Sequence, residues 1–170
     1  ISSAASDVYK RQALGKPAVV YIKSADYLAP GTAARLIEEG RIVAFKYAVV
    51  RDNPAKDPYL SSLLQAVDAR WIVSGIGERP AIVHYRDFGL KSFTSGSVCV
   101  APRGSMRLLH LLREGRYDEA EAVREHYLGL EDCRDGISPI RVLHDAVTLS
   151  GVADMGPCLL YTSDAADDMQ

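Results

Sequence analysis

Short apolar runs alternate with amphipathic stretches along most of this chain. Pro17-Ala18-Val19-Val20-Tyr21-Ile22 is apolar and β-branched and predicts a strand. Pro30 to Glu39 predicts a helix, opened by proline and stopped by Gly40. A second strand is predicted over Ile42-Val43-Ala44-Phe45-Lys46-Tyr47-Ala48-Val49-Val50, followed by the turn-rich Asp52-Asn53-Pro54 and a helix near 59–67. Trp71 to Gly75 reads as a third strand, and Pro80 to Phe88 as a helix closed by Gly89. Phe93 to Val100 reads as a fourth strand, and Met106 to Glu114 as a helix capped by Gly115. Two more helices are predicted at about 118–130 and 139–150. Strand-helix units in succession predict parallel pairing with crossover helices. Four units fit half of an eight-stranded barrel or part of an open doubly wound sheet.

The ends break this pattern. Residues 3–12 can be encoded by DNA whose reverse complement, read in a shifted frame, encodes Cys158 to Ala166 and then an acidic residue, as at Asp167. That DNA resembles a transposase adapter used in sequencing libraries. Residues 1–12 and 158–170 are therefore expected to be adapter-derived tails rather than native sequence. The expected organisation is a half barrel of four βα units over 13–115, followed by C-terminal helices over 116–157. The whole is expected to be cut from a longer gene.

Charge and cysteine content then narrow the function classes. The tails hold two of the 20 Lys+Arg and four of the 22 Asp+Glu, leaving 18 of each and no net formal charge. Nothing electrostatic points to nucleic acid or to an anionic membrane. No apolar stretch reaches the roughly 18–20 residues of a membrane span. Cys99 and Cys133 have neither metal-ligand nor disulfide spacing, which fits a reducing cytoplasm. His84, His110, His126 and His144 also lack metal spacing. Glu78-Arg79 reads as a helix-start ion pair, and 118–125 as a solvated helix face.

The residue with the most chemistry is Lys46, set in the apolar second strand. Burying an ammonium costs a great deal unless it is paired or neutral, and a neutral amine is the nucleophile of Schiff-base catalysis. The alternative is a snorkelling lysine whose charge reaches water. Catalytic residues of parallel barrels project from the C-terminal ends of strands. Tyr21, Lys46, Ser74, Thr94 and Ser95 all lie toward such ends, where one pocket could collect them. The glycine-rich phosphate fingerprint of a dinucleotide fold is absent, which favours the barrel.

With these motifs in view, residues 16–157 resemble the C-terminal half of the dihydrodipicolinate synthase/N-acetylneuraminate lyase family. Val19-Val20-Tyr21 matches the strand ending in the family's catalytic tyrosine, and Ala44-Phe45-Lys46 its Schiff-base lysine motif. Ser74-Gly75, Thr94-Ser95-Gly96 and Ser138-Pro139-Ile140 match later family steps, in the same order. The resemblance implies an α/β fold, the last four βα units plus C-terminal helices of a (β/α)8 TIM barrel. It further implies a class I pyruvate aldolase or lyase, resembling 4-hydroxy-tetrahydrodipicolinate synthase. Lys46 would form an imine with pyruvate or a related 2-keto acid, with no cofactor, and Tyr21 would relay protons. Thr94, Ser95, Ser74 and Gly75 would bind substrate.

The family's Asn-x-Pro and carboxylate-holding arginine have no counterpart after Tyr21; Lys23 is either a replacement for that arginine as a point charge or a solvated loop lysine. Specificity for aspartate semialdehyde is thereby open, and a keto-acid-sugar dehydratase fits as well. A further alternative is a non-catalytic small-molecule-binding regulator on the same barrel. The full-length protein is expected to be a cytoplasmic homo-oligomer, tetramer or dimer. This piece alone is expected to be inactive, because half a barrel leaves unpaired sheet edges.

Overall fold

A computed structural model describes residues 15–158. The segments expected to be adapter-derived lie outside the described residues, apart from Cys158. The chain divides into two compact units that meet between Ser95 and Gly96.

The first unit is a parallel three-stranded sheet with helices between its strands. Its elements are β1 (Ala18–Ile22), α1 (Pro30–Glu38), β2 (Ile42–Tyr47), α2 (Pro58–Ala66), β3 (Ile72–Ser74) and α3 (Ala81–Arg86). The strand order is β1-β2-β3, both pairs parallel, with a register irregularity between Ala18 and Val19. Alternation along each strand separates two faces. Val20, Ile22, Phe45, Tyr47 and Ile72 form one core with Leu28, Ala33, Leu60, Leu63 and Leu90. Val19, Tyr21 and Val43 are exposed.

Local chemistry sets the helix starts. Pro30 opens α1. Asp57 stands before Pro58 and accepts a hydrogen bond from the Leu60 N–H at 3.0 Å, capping α2. Tyr59 anchors the loop after β1: the Leu28 N–H donates to its hydroxyl (3.1 Å), which donates to the Leu28 carbonyl (2.9 Å).

Two expectations change. The fourth strand shrinks to a single parallel bridge between Ser74 and Phe93, and Ser97–Cys99 forms a 3-10 turn. The cause lies in the small polar residues between them. The Ser95 hydroxyl donates to Glu78, 17 positions back in the chain, and Gly96 takes helical rather than extended dihedrals. The second strand also ends at Tyr47 rather than Val50, although the Ala48 N–H still reaches the Ile22 carbonyl at 2.8 Å.

The second unit is helical: α4 (Pro102–Arg113), α5 (Tyr117–Gly136) and α6 (Pro139–Leu149). Tyr127 joins the first two, donating to the Ala101 carbonyl at 2.7 Å and lying against Gly104, where any side chain would collide with its hydroxyl. Ser138 caps α6, accepting from the Arg141 N–H at 3.5 Å. Among the described residues no helix is long and apolar enough to cross a membrane.

Candidate functional site

Tyr21 and Lys46 are register partners across the β1–β2 ladder, and Lys46 is in turn paired with Val73. Side chains at paired positions share a face. The Lys46 Nζ accordingly lies 4.5 Å from the centroid of the Tyr21 ring. Lys23, just past the strand, reaches the same ring from 5.6 Å. Both distances are within cation–π range, worth about 0.5–1 kcal/mol where solvent has access. Tyr21 remains 41% exposed. Lys46 is half-buried, between the buried and the snorkelling lysine that the sequence left open. The physical reason is that Phe45 and Tyr47 take the covered face, and Lys46 between them must take the other.

On its other side Lys46 runs along Gly75. A Cβ at that glycine would stand 2.8 Å from the Lys46 Cγ and 2.9 Å from the Tyr47 carbonyl oxygen. The Gly75 N–H donates to that same oxygen at 2.6 Å. Glycine is what permits the approach.

The other expected site residues are distributed differently. Ser74 sits on the covered face, 1% exposed, with its hydroxyl 2.8 Å from His84 Nδ1, so it is not brought to the amine. Its carbonyl accepts from the Thr94 N–H at 2.8 Å, tying Thr94 to the strand beside Lys46. Ser95 donates at 2.5 Å to Glu78, a fully buried carboxylate where the sequence pattern favoured a helix-start ion pair.

A second polar cluster lies beneath the strand ends and escaped the sequence pattern. Tyr47 donates to Asp57 Oδ2 at 2.6 Å, and Arg51 donates to Asp57 Oδ1 at 3.1 Å. Burial would raise the Asp57 carboxyl, but the bonds from Arg51, Tyr47 and the Leu60 N–H outweigh it and hold the group below its usual range. Burial, then Asp57, pushes the Tyr47 phenol up. His84 packs edge-on against Tyr47 and Phe88, and burial pushes its imidazole down to about 4. The one sequence signal that could have found it is Asp57 before Pro58, a helix cap followed by a first-turn proline. Among the described residues no cluster of three or more His, Cys, Asp or Glu is arranged to hold a metal ion.

Fold and geometry together define a class: a partial (β/α)8 barrel carrying an amine and a phenol side by side near the C-terminal ends of adjacent strands. Solved structures give it a more particular likeness. The chain is similar to the dihydrodipicolinate synthase of Oceanobacillus iheyensis, with a TM-score of 0.72 and 26% identity, over 89% of this chain and 51% of that one. It is also similar to the dihydrodipicolinate synthase of Bacillus clausii, with a TM-score of 0.65 and 22% identity, over 86% and 48% of the two chains. The chain thus spans about half the length of these solved relatives. No family model and no curated protein matches it. The structural neighbours agree with the resemblance drawn from the sequence motifs.

Proposed function

We propose that this chain carries the lysine half of a Schiff-base keto-acid lyase or aldolase. The observation that supports it most is the placement of Lys46 Nζ 4.5 Å from the Tyr21 ring, in a fold similar to the dihydrodipicolinate synthases.

The chemistry follows from the amine. Neutral Lys46 adds to the keto carbon of pyruvate or a related 2-keto acid, giving a carbinolamine. Loss of water, with a proton delivered to the departing oxygen, gives an iminium. The iminium withdraws electrons from C3, whose proton then leaves to form an enamine that adds to an aldehyde. Tyr21 is the candidate for these proton transfers, since its hydroxyl belongs to the ring beside the amine. Lys23, on the same ring, supplies positive charge for a substrate carboxylate. Thr94, held by its backbone one strand away, and Gly75 line the approach.

The test uses the full-length protein that contains these residues. Incubation with pyruvate and borohydride is expected to add one reduced pyruvate adduct, located on Lys46 by peptide mass spectrometry. Lys46→Arg keeps the charge but forms no imine and is expected to abolish the adduct. A folded protein that gives no adduct with pyruvate or with other 2-keto acids overturns the reading in favour of a non-catalytic binder.

A further inference from the structure

The half of the Lys46 environment formed by β3 raises a mechanical question. β3 has only three residues, Ile72–Ser74, yet the backbone just after it forms the surface along which the lysine methylenes run. So short a strand has few ladder bonds to fix its end. The Gly75 N–H bond to the Tyr47 carbonyl and the Ser74 N–H bond to the Ser92 carbonyl (3.1 Å) tie the backbone. The side-chain tie is buried: Ser74 Oγ to His84 Nδ1 at 2.8 Å.

His84 is suited to act as a fixed post. It is 2% exposed, and the Tyr47 and Phe88 rings lie edge-on to it with centroids at 6.3 and 6.0 Å. Its own N–H bonds to the carbonyl of Pro80, just before α3, and its carbonyl accepts from the N–H of Leu90, beyond the end of α3, so its backbone is held on both sides. A leucine could fill that volume but could not hold the Ser74 hydroxyl, which needs a polar partner. Tyr47, one residue beyond Lys46, touches His84 through its ring and is the register partner of Ser74. The imidazole therefore contacts both strand ends that frame the amine.

We propose that His84 is a positioning residue for Lys46: through Ser74 it fixes the end of β3, and with it the Gly75 backbone along which the lysine chain lies. The catalytic consequence rests on the Schiff-base reading above; the placement of the amine does not.

The experiment compares wild type, His84→Leu, Ser74→Ala, the double variant and His84→Asn in the full-length protein. The Asn amide can occupy the place of Nδ1. Two readouts are used. Borohydride trapping at saturating pyruvate is expected to slow about 10- to 100-fold in His84→Leu and Ser74→Ala, the scale of a displaced reacting group. The double variant is expected to be no slower than the worse single one, and His84→Asn to recover most of the rate. Trace acetylation, read as the ratio of Lys46 to Lys23 labelling, needs no keto acid and is expected to change in the same variants and return in His84→Asn.

A wild-type labelling ratio in folded His84→Leu and Ser74→Ala overturns the proposal, as does an additive double variant. If His84→Leu does not fold, Ser74→Ala against wild type decides. The labelling effect in the variants, with no adduct formed by the wild type, sinks the Schiff-base reading and leaves the positioning of Lys46 intact.

Discussion

Lys46 and Tyr21 face each other across the β1–β2 ladder, and the lysine Nζ stands 4.5 Å from the centre of the tyrosine ring. The contact is to the ring, so the phenol hydroxyl remains available for a second task. Four consequences can be measured.

Tyr21→Phe keeps the ring and its contact with Lys46 but removes the proton-carrying hydroxyl. Imine trapping in the full-length protein is expected to fall about 10²- to 10⁴-fold, the usual contribution of general acid–base catalysis. The melting temperature should not move, because the side chain is 41% exposed. A rate within twofold of wild type rules out the proton-relay role.

Gly75→Ala places a methyl group 2.8 Å from the Lys46 Cγ and 2.9 Å from the Tyr47 carbonyl oxygen. The second contact is to backbone, so the strand end or the lysine must shift. Overpacking of this kind costs about 1–3 kcal/mol. Denaturant unfolding should report that loss, and trapping at Lys46 should slow by more than the change in folded fraction explains. Unchanged unfolding and trapping would mean that the site has more slack than the geometry shows.

Acid is expected to weaken the first unit in two overlapping stages. His84 is pushed down to about 4 by burial, from an ordinary value of 6.5. Between those values the unfolded chain binds a proton that the folded chain refuses. Its contribution is complete above about 6.5, falls as pH drops toward 4, and amounts to about 3 kcal/mol at most. Asp57, held below 3.8, acts in the same direction at lower pH: the folded carboxylate stays ionised while the unfolded one takes a proton. Urea midpoints measured from pH 7 to about pH 3 should hold above about pH 6.5 and decline below it, and His84→Asn should flatten the upper part of that decline.

Tyr59→Phe removes both hydrogen bonds to the Leu28 backbone while keeping the ring beside Tyr47. Leu28 is itself buried, so its N–H and C=O lose their partner away from water. The expected cost is about 1–3 kcal/mol in unfolding free energy. Hydrogen exchange at Leu28 should accelerate, and an unchanged exchange rate would show that the loop is held by something else.

Much of the fold was legible because it depends on local rules. Pro30 announces a helix start, Gly40 a helix stop, and the apolar runs around Val20, Phe45 and Ile72 their strands. Lys46 and Tyr21 were also legible as candidates, from their positions toward strand ends. The fourth strand was misread because Phe93 to Val100 has strand-like composition, while Ser95 bonds to Glu78 in a distant part of the chain and Gly96 takes helical dihedrals.

By itself, then, the sequence determined the order of the elements, their parallel pairing and the residues able to do chemistry, since each follows from periodicity and side-chain type. Only the tertiary structure decided which face each side chain takes and what it meets there. Register put Lys46 beside Tyr21 and sent the Ser74 hydroxyl to His84, ten positions away in the chain. Such pairings arise from packing between elements distant in sequence, and no local pattern encodes them.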